Sequence, residues 1–309
     1  MDKEALKKFV EENPKLVTMR SAGDGIFVLK YKKCVFYDSL WNEYLEECRG
    51  TIVDKEFNVI SRPFTKIYNY GVEAKSPVLD PQTQVTAYRK VNGFMVVMTW
   101  HNNDILISTT GSTDNDYTRY AREMMERETR WDHWMSACEI SKGFTFMFEC
   151  VHPNDPHIVP EDLGMYFLGW RENRWDSKVQ GFGPIRSNHW RDFALGFLNC
   201  KYPEAFQTTI QGVMDLTKVA KHEGYVFYTE DGISSKIKSP YYLVSKWVAR
   251  NPRTDKIMTE EFKRNIDEEY YPLVDAIRAD IVSYTALNEQ ERLAWCRQFL
   301  ENNNVVVLK

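Results

Sequence analysis

Residues 90–109 read KVNGFMVVMTWHNNDILIST. Two apolar runs, Phe94 to Trp100 and Ile105 to Thr109, flank His101-Asn102-Asn103-Asp104, a polar insert with the composition of a hairpin turn. The stretch predicts two antiparallel strands with Lys90 on the approach to the first. The tetrad Lys90-Val91-Asn92-Gly93 is a weak signal by itself, because lysine and glycine at that spacing mark many surface turns. Its meaning depends on the sequence on either side.

Toward the C terminus, strand-like runs recur at Phe144 to Glu149, Met165 to Trp170, Tyr225 to Thr229 and Ile233 to Ile237, the last two joined by the compact turn Glu230-Asp231-Gly232. Toward the N terminus, Ile26 to Tyr31, Cys34 to Tyr37, Thr51 to Val53 and Val59 to Ser61 alternate with turn chemistry in the manner of a β-meander. Helical spacing predicts one long helix or two short ones from Tyr117 to Cys138, and further helix from Trp190 to Ala220 with a break at Tyr202-Pro203. After about Ser239 the spacing is helical only, through Leu273, Val274, Ile277, Ile281 and Tyr284. Asn288 with Glu291 then makes a capping-box-like start for a helix carrying Leu293, Cys296 and Leu300. The expected fold class is α+β, with antiparallel sheets and flanking helices over residues 1–246 and a small all-α domain over 247–309. Asn251-Pro252 marks the linker.

A chain of 309 residues with 43% hydrophobic content can bury two cores. The net charge of -4 argues against a nucleic-acid coat protein, so any nucleic-acid surface must be a local cluster of Lys and Arg. Six cysteines, at 34, 48, 138, 150, 200 and 296, are scattered without CxxC or Cys/His zinc spacing and read as reduced thiols. Residues 1–15 are charged and lack the apolar core of a signal peptide, and no apolar run approaches the roughly 20 residues of a membrane span. The expectation is a protein with no membrane association and no obligate protein partner, located in the cytoplasm of a phage-infected or bacterial cell.

The ordered set Lys90, Glu149, Glu223-Gly224 and Lys236/Lys238 has the parts of a covalent nucleotidyl-transfer site. A lysine attacks phosphorus only as the neutral amine, and at an ordinary pKa near 10.4 roughly one in a thousand or fewer is neutral at pH 7. Burial beside Phe94 and nearby cations, Lys236, Lys238 or a hydrated magnesium ion, would favour the neutral form. Gly93 lets the backbone approach a sugar or phosphate. Glu149 ends an apolar run and Glu223 precedes one, positions suited to holding Mg²⁺ directly or through water. Lys236 and Lys238, two apart in a strand, project from one face with Ile237 toward the core, and an anion between them relieves their repulsion. The bland alternatives are a solvated lysine at a strand start, a strand-end charge and an edge strand that resists aggregation.

With these residues in place, the chain resembles the covalent nucleotidyltransferases, and among them the phage-type RNA ligase 1 family. The resemblance rests on Glu47-Cys48-Arg49-Gly50, Arg62-Pro63-Phe64-Thr65-Lys66 with Tyr68-Asn69, the Lys90 tetrad, Phe148-Glu149, Arg171-Glu172-Asn173, Glu223-Gly224-Tyr225-Val226 and Lys236-Ile237-Lys238-Ser239. It covers roughly residues 20–246. It implies ATP and Mg²⁺, with Mn²⁺ as a substitute, and RNA with 5′-phosphate and 3′-hydroxyl ends as substrate. It makes Lys90 the nucleophile, places Arg49 and Lys66 on nucleotide phosphate or ribose, and gives metal and sugar to Glu149 and Glu223. Lys236 and Lys238 then stabilise the transferring phosphate.

Two departures stand out. Thr110 occupies the place of a lysine in better-known members, so a phosphate contact there is lost or supplied by another group. The helical tail is also shorter than the family's tRNA-directed domain. Competing functions are a polynucleotide ligase preferring DNA ends, a capping-type guanylyltransferase and a non-catalytic RNA-end-binding protein. The segment His152-Pro153-Asn154-Asp155-Pro156-His157 reads either as a metal site or, on its two prolines, as a rigid loop.

Overall fold

Strands that alternate buried and exposed residues must cover one face each, and this chain does so with three sheets among its described residues. The computed structural model describes all residues except 156, 158, 179, 183–197, 251–256, 265, 267–269 and 303–309. In chain order the strands are β1 (Val17–Ser21), β2 (Ile26–Tyr31), β3 (Arg49–Asp54), β4 (Val59–Ser61), β5 (Tyr68–Asn69), β6 (Gln84–Arg89), β7 (Phe94–His101), β8 (Asp104–Ser108), β9 (Phe144–Val151), β10 (Gly164–Glu172), β11 (Gln180–Phe182), β12 (Ala205–Thr209), β13 (Gly224–Thr229) and β14 (Ser234–Lys238). Their pairings are antiparallel except that of β14 with β5, which is parallel.

The chain divides into two compact units. The first comprises Met1–Lys66 and Val91–Glu204, the second Ile67–Lys90 and Ala205–Lys309. Unit one holds the sheets β1-β2-β3-β4 and β11-β10-β9-β7-β8. The predicted hairpin is β7–β8, closed at Asn102 and Asn103, whose φ values of 50° and 59° suit the tight turn that asparagine tolerates. Two helices, Asp116–Glu128 and Trp131–Ile140, pack Met124, Met125 and Trp134 against Val96, Met98 and Phe148. The Asn115–Thr118 capping box starts the first.

Unit two is built on the sheet β12-β6-β13-β14-β5. Val85, Ala87, Tyr225, Phe227 and Ile237 from its strands bury against Ile210, Val213 and Met214 of the helix Ile210–Val219. Helices Pro240–Arg250, Glu260–Arg264, Tyr271–Ala279, Ile281–Ala286 and Glu289–Asn302 follow.

The α+β class and the antiparallel sheets agree with the sequence reading. Local expectations change at several places. Cys34 to Tyr37 lies in the short helix Lys33–Tyr37, strands β1, β5, β6 and β11 stand where the sequence reading has none, and Ala205–Thr209 is strand rather than helix. The predicted linker Asn251-Pro252, and residues 190–197 of the predicted helix, lie outside the described residues. No helix among the described residues is long and apolar enough to cross a membrane. All six cysteines are free.

Candidate active site

At one end of the unit-two sheet, antiparallel pairing brings three sequence-distant segments into a row. Residues of β6 pair with β13 up to Arg89↔Tyr225, and the Lys90 N–H continues the ladder by donating to the Gly224 carbonyl at 2.8 Å. Across β13, Gly224 is opposite Lys238 of β14. A side chain on Gly224 would overlap the Ile237 carbonyl oxygen, so glycine is required for this close pairing. The result centres on Glu223, whose side chain is 5% exposed. Its Oε2 lies 3.0 Å from Lys90 Nζ and its Oε1 lies 3.8 Å from Lys238 Nζ. Lys236 sits two residues back on the half-buried face it shares with Lys238, while Ile237 enters the core as expected.

Unit one carries the other predicted residues. Gly93 donates its N–H to Glu149 Oε1 at 3.1 Å, and Glu149 is 8% exposed. A Cβ on Gly93 would overlap the Cys150 carbonyl oxygen and lie 3.1 Å from Glu149 Cγ. The fold thus supplies its own reason for this glycine, the close approach of β9, beside the nucleotide approach expected from sequence. Lys66 is buried, with its ammonium 4.6 Å from the centre of the Trp41 ring and 5.4 Å from that of Phe36. Arg49 Nη1 donates to the Thr65 carbonyl at 2.9 Å and so ties the two upstream motifs together.

A buried ionic knot supports those motifs, and sequence reasoning had not assigned it a role. Glu47 accepts from Arg171 at 2.6 and 2.9 Å and from Arg62 at 2.8 Å, and Arg171 also donates to the Pro63 carbonyl at 2.9 Å. Burial works to raise the Glu47 pKa, but the two guanidiniums overcome it and hold the carboxyl below the usual carboxylate range. Bidentate pairing fixes the segments that carry Arg49 and Lys66. All three residues were visible as motif letters, but their contact joins positions 124 apart in sequence.

Among the described residues, no group of three or more His, Cys, Asp or Glu side chains could hold a metal. In the loop after β9, His152 stacks on Tyr120 at 4.4 Å, accepts the Asn154 N–H at Nδ1 and faces Glu123 with Nε2. His157 pairs with Asp155 at 2.7 Å. These histidines have protein partners, in keeping with the rigid-loop reading.

A family model described as RNA ligase matches residues 47–242. No curated protein matches the chain. Among solved structures, a candidate ATP-dependent DNA ligase from Aquifex aeolicus superposes with a TM-score of 0.59 at 15% identity, over 96% of this chain and 78% of its own. Two forms of an archaeal ATP-dependent RNA ligase superpose with TM-scores of 0.57 at 17% and 16% identity, each over 97% of this chain and 77% of its own. At such identities the likeness is one of fold.

Proposed function

The chain belongs to the RNA ligase family, and from that premise we propose that it joins 5′-phosphate and 3′-hydroxyl RNA ends, with ATP as co-substrate and an adenylate carried on Lys90. The observation that carries this reading is the row Lys90–Glu223–Lys238, an amine nucleophile held by a buried carboxylate with a second cation beside it. In the first step the Lys90 amine, having lost a proton, forms a bond to the α-phosphorus of ATP as the bond to pyrophosphate breaks. A 5′-phosphate oxygen of RNA then takes the adenylyl group, the P–N bond breaks and Lys90 regains a proton. In the third step the 3′-hydroxyl attacks the activated phosphate, loses its proton and releases AMP.

Lys236 and Lys238 are assigned to charge developing on the transferring phosphate, where fixed cations act most strongly. Arg49 and Lys66 are assigned to nucleotide phosphate or ribose, and Gly93 to the nucleotide-facing turn. Glu149 and Glu223 are the carboxylates assigned to sugar and to Mg²⁺, or Mn²⁺ in its place. Each of these buried carboxylates by itself fits such an ion, because magnesium is commonly bound through one or two carboxylates plus substrate phosphates. Bound there, the cation would neutralise Glu223 and polarise the phosphate.

The test is sealing of a 5′-phosphorylated oligoribonucleotide with ATP and Mg²⁺, run beside the same sequence in DNA and beside GTP. Sealing of RNA with ATP is expected. A protein adduct formed only with GTP would turn the assignment to a capping-type enzyme, and RNA-end binding with no adduct would leave a non-catalytic binder.

A further inference from the structure

In the four-stranded sheet of unit one, Arg49, assigned above to the nucleotide, has further cations beside it on the neighbouring strands. Lys30 on β2 is registered opposite Arg49 on β3, across an irregularity that follows Leu29. On the other side Lys30 pairs with Thr18 of β1, and Arg20 is two residues further along the same face of that strand. Arg20, Lys30 and Arg49 therefore occupy three adjacent strands.

Val28 and Ile26, on the Lys30 side of β2, bury against Ile52 and Leu106, so the cations fringe the end of a small apolar cluster. There they meet the turn Thr109–Ser112. Arg20 Nη1 is 3.4 Å from the Gly111 carbonyl oxygen, and a Cβ on Gly111 would lie 2.5 Å from Lys30 Nζ. None of the ion pairs among the described residues involves Arg20, Lys30 or Arg49.

Like charges on neighbouring strands repel. Loss of hydration and the nearby Arg20 both push the Lys30 pKa down. In a chain of net charge -4, Arg20 and Lys30, next in line to Arg49 and without an ion-pair partner among the described residues, are a local surplus awaiting an anion. The row crosses two interstrand spacings, roughly 10 Å between backbones before side-chain reach is added. That length suits successive phosphates of a strand better than the single cluster of a triphosphate.

We infer that Arg20 and Lys30, continuing from Arg49, form a phosphate-tracking surface for the backbone of single-stranded RNA. The inference rests on the ligase reading for the identity of the polyanion. The near neighbours of the row, the Gly111 turn and Thr18, are neutral, and no carboxylate among the described residues pairs with it. Such contacts carry no base information, so they should serve unrelated sequences equally.

The experiment measures binding of the full-length chain to 3′-blocked, 5′-phosphorylated oligo(A) and oligo(C) RNA without ATP, across a salt series. The parent is compared with Arg20→Ala, Lys30→Met and the double variant. Lys30→Met keeps the aliphatic stem, and tryptophan fluorescence checks that each variant is folded. Each lost phosphate contact should reduce the slope of log K against log salt by about 0.7, and the double variant by about 1.4, alike for both sequences. Lysyl-AMP formation, read by intact mass, should be unchanged. An unaltered salt slope overturns the inference, and so does a slowed adenylation with RNA binding intact, which would assign these cations to the triphosphate. Absence of an adduct in the parent would count against the ligase reading separately, since the RNA slope is measured without ATP.

Discussion

Replacing Gly93 by alanine tests whether the fold holds Glu149 through the backbone of the Lys90 tetrad. The added methyl would overlap the Cys150 carbonyl oxygen and sit 3.0 Å from its carbon and 3.1 Å from Glu149 Cγ, inside ordinary contact distance. Phe94, the next residue, is registered opposite Cys150, so β7 and β9 must separate where their ladder begins. Overpacking of this kind costs about 1–3 kcal/mol. Straining the bond from the Gly93 N–H to the Glu149 carboxylate puts a further ~1.5–3 kcal/mol at risk, and because the two effects overlap the expected loss is about 2–4 kcal/mol. Urea unfolding followed by tryptophan fluorescence would read the stability. Adenylate formation, timed by intact mass well below the unfolding midpoint, would read the site, where displacement of Glu149 by ~1.4 kcal/mol or more predicts at least a tenfold slower reaction. An alanine variant as stable and as fast as the parent would refute the reasoning, because the carbonyl would then have moved aside without consequence.

Glu47→Gln removes the charge that two buried arginines share and should destabilise the chain by about 3 kcal/mol in chemical denaturation. Because the Glu47 pKa is held below its unfolded value, its contribution is present above about pH 4.5 and fades as pH falls through the lower folded value. The variant should therefore show a shallower acid limb in a pH–stability series. Glu128 behaves oppositely. Burial raises its pKa to about 7, against pulls from the Met165 N–H and Lys201, so the folded chain binds the extra proton between about pH 4.5 and 7 and loses stability as pH rises through that window. Glu128→Gln, which can still accept the Met165 N–H, should match the parent near pH 4.5 and exceed it at pH 8 by about 1–2 kcal/mol, the full shift being discounted for partial exposure.

The parts of the fold that could be read from sequence were those whose partners are nearby. The β7–β8 hairpin and the β13–β14 pair are closed by short turns, and their alternation survives in the structure. The same holds for Lys236 and Lys238 with Ile237 between them, since strand period alone fixes their sides. Gln84–Arg89 was missed because its polar, short sequence becomes a central strand only through pairing with β12 and β13, more than a hundred residues on. Ala205–Thr209 reads as helix in the sequence for the related reason that its strand partner β6 lies far away. At the site, residue types alone point to Lys90 and Glu223 as the residues proposed for the chemistry. Their 3.0 Å approach, the Glu47–Arg171 knot and the meeting of Lys30 with Gly111 are products of long-range pairing that no local pattern announces.

Adenylation is assigned to one nitrogen, Lys90 Nζ, and proteolytic peptide mapping after incubation with ATP and Mg²⁺ tests that assignment directly. A single AMP is expected on the peptide containing Lys90 and none in Lys90→Ala, which should nevertheless seal pre-adenylated RNA because the third step needs no lysine nucleophile. An adduct on any other residue, or one that persists in Lys90→Ala, would contradict it.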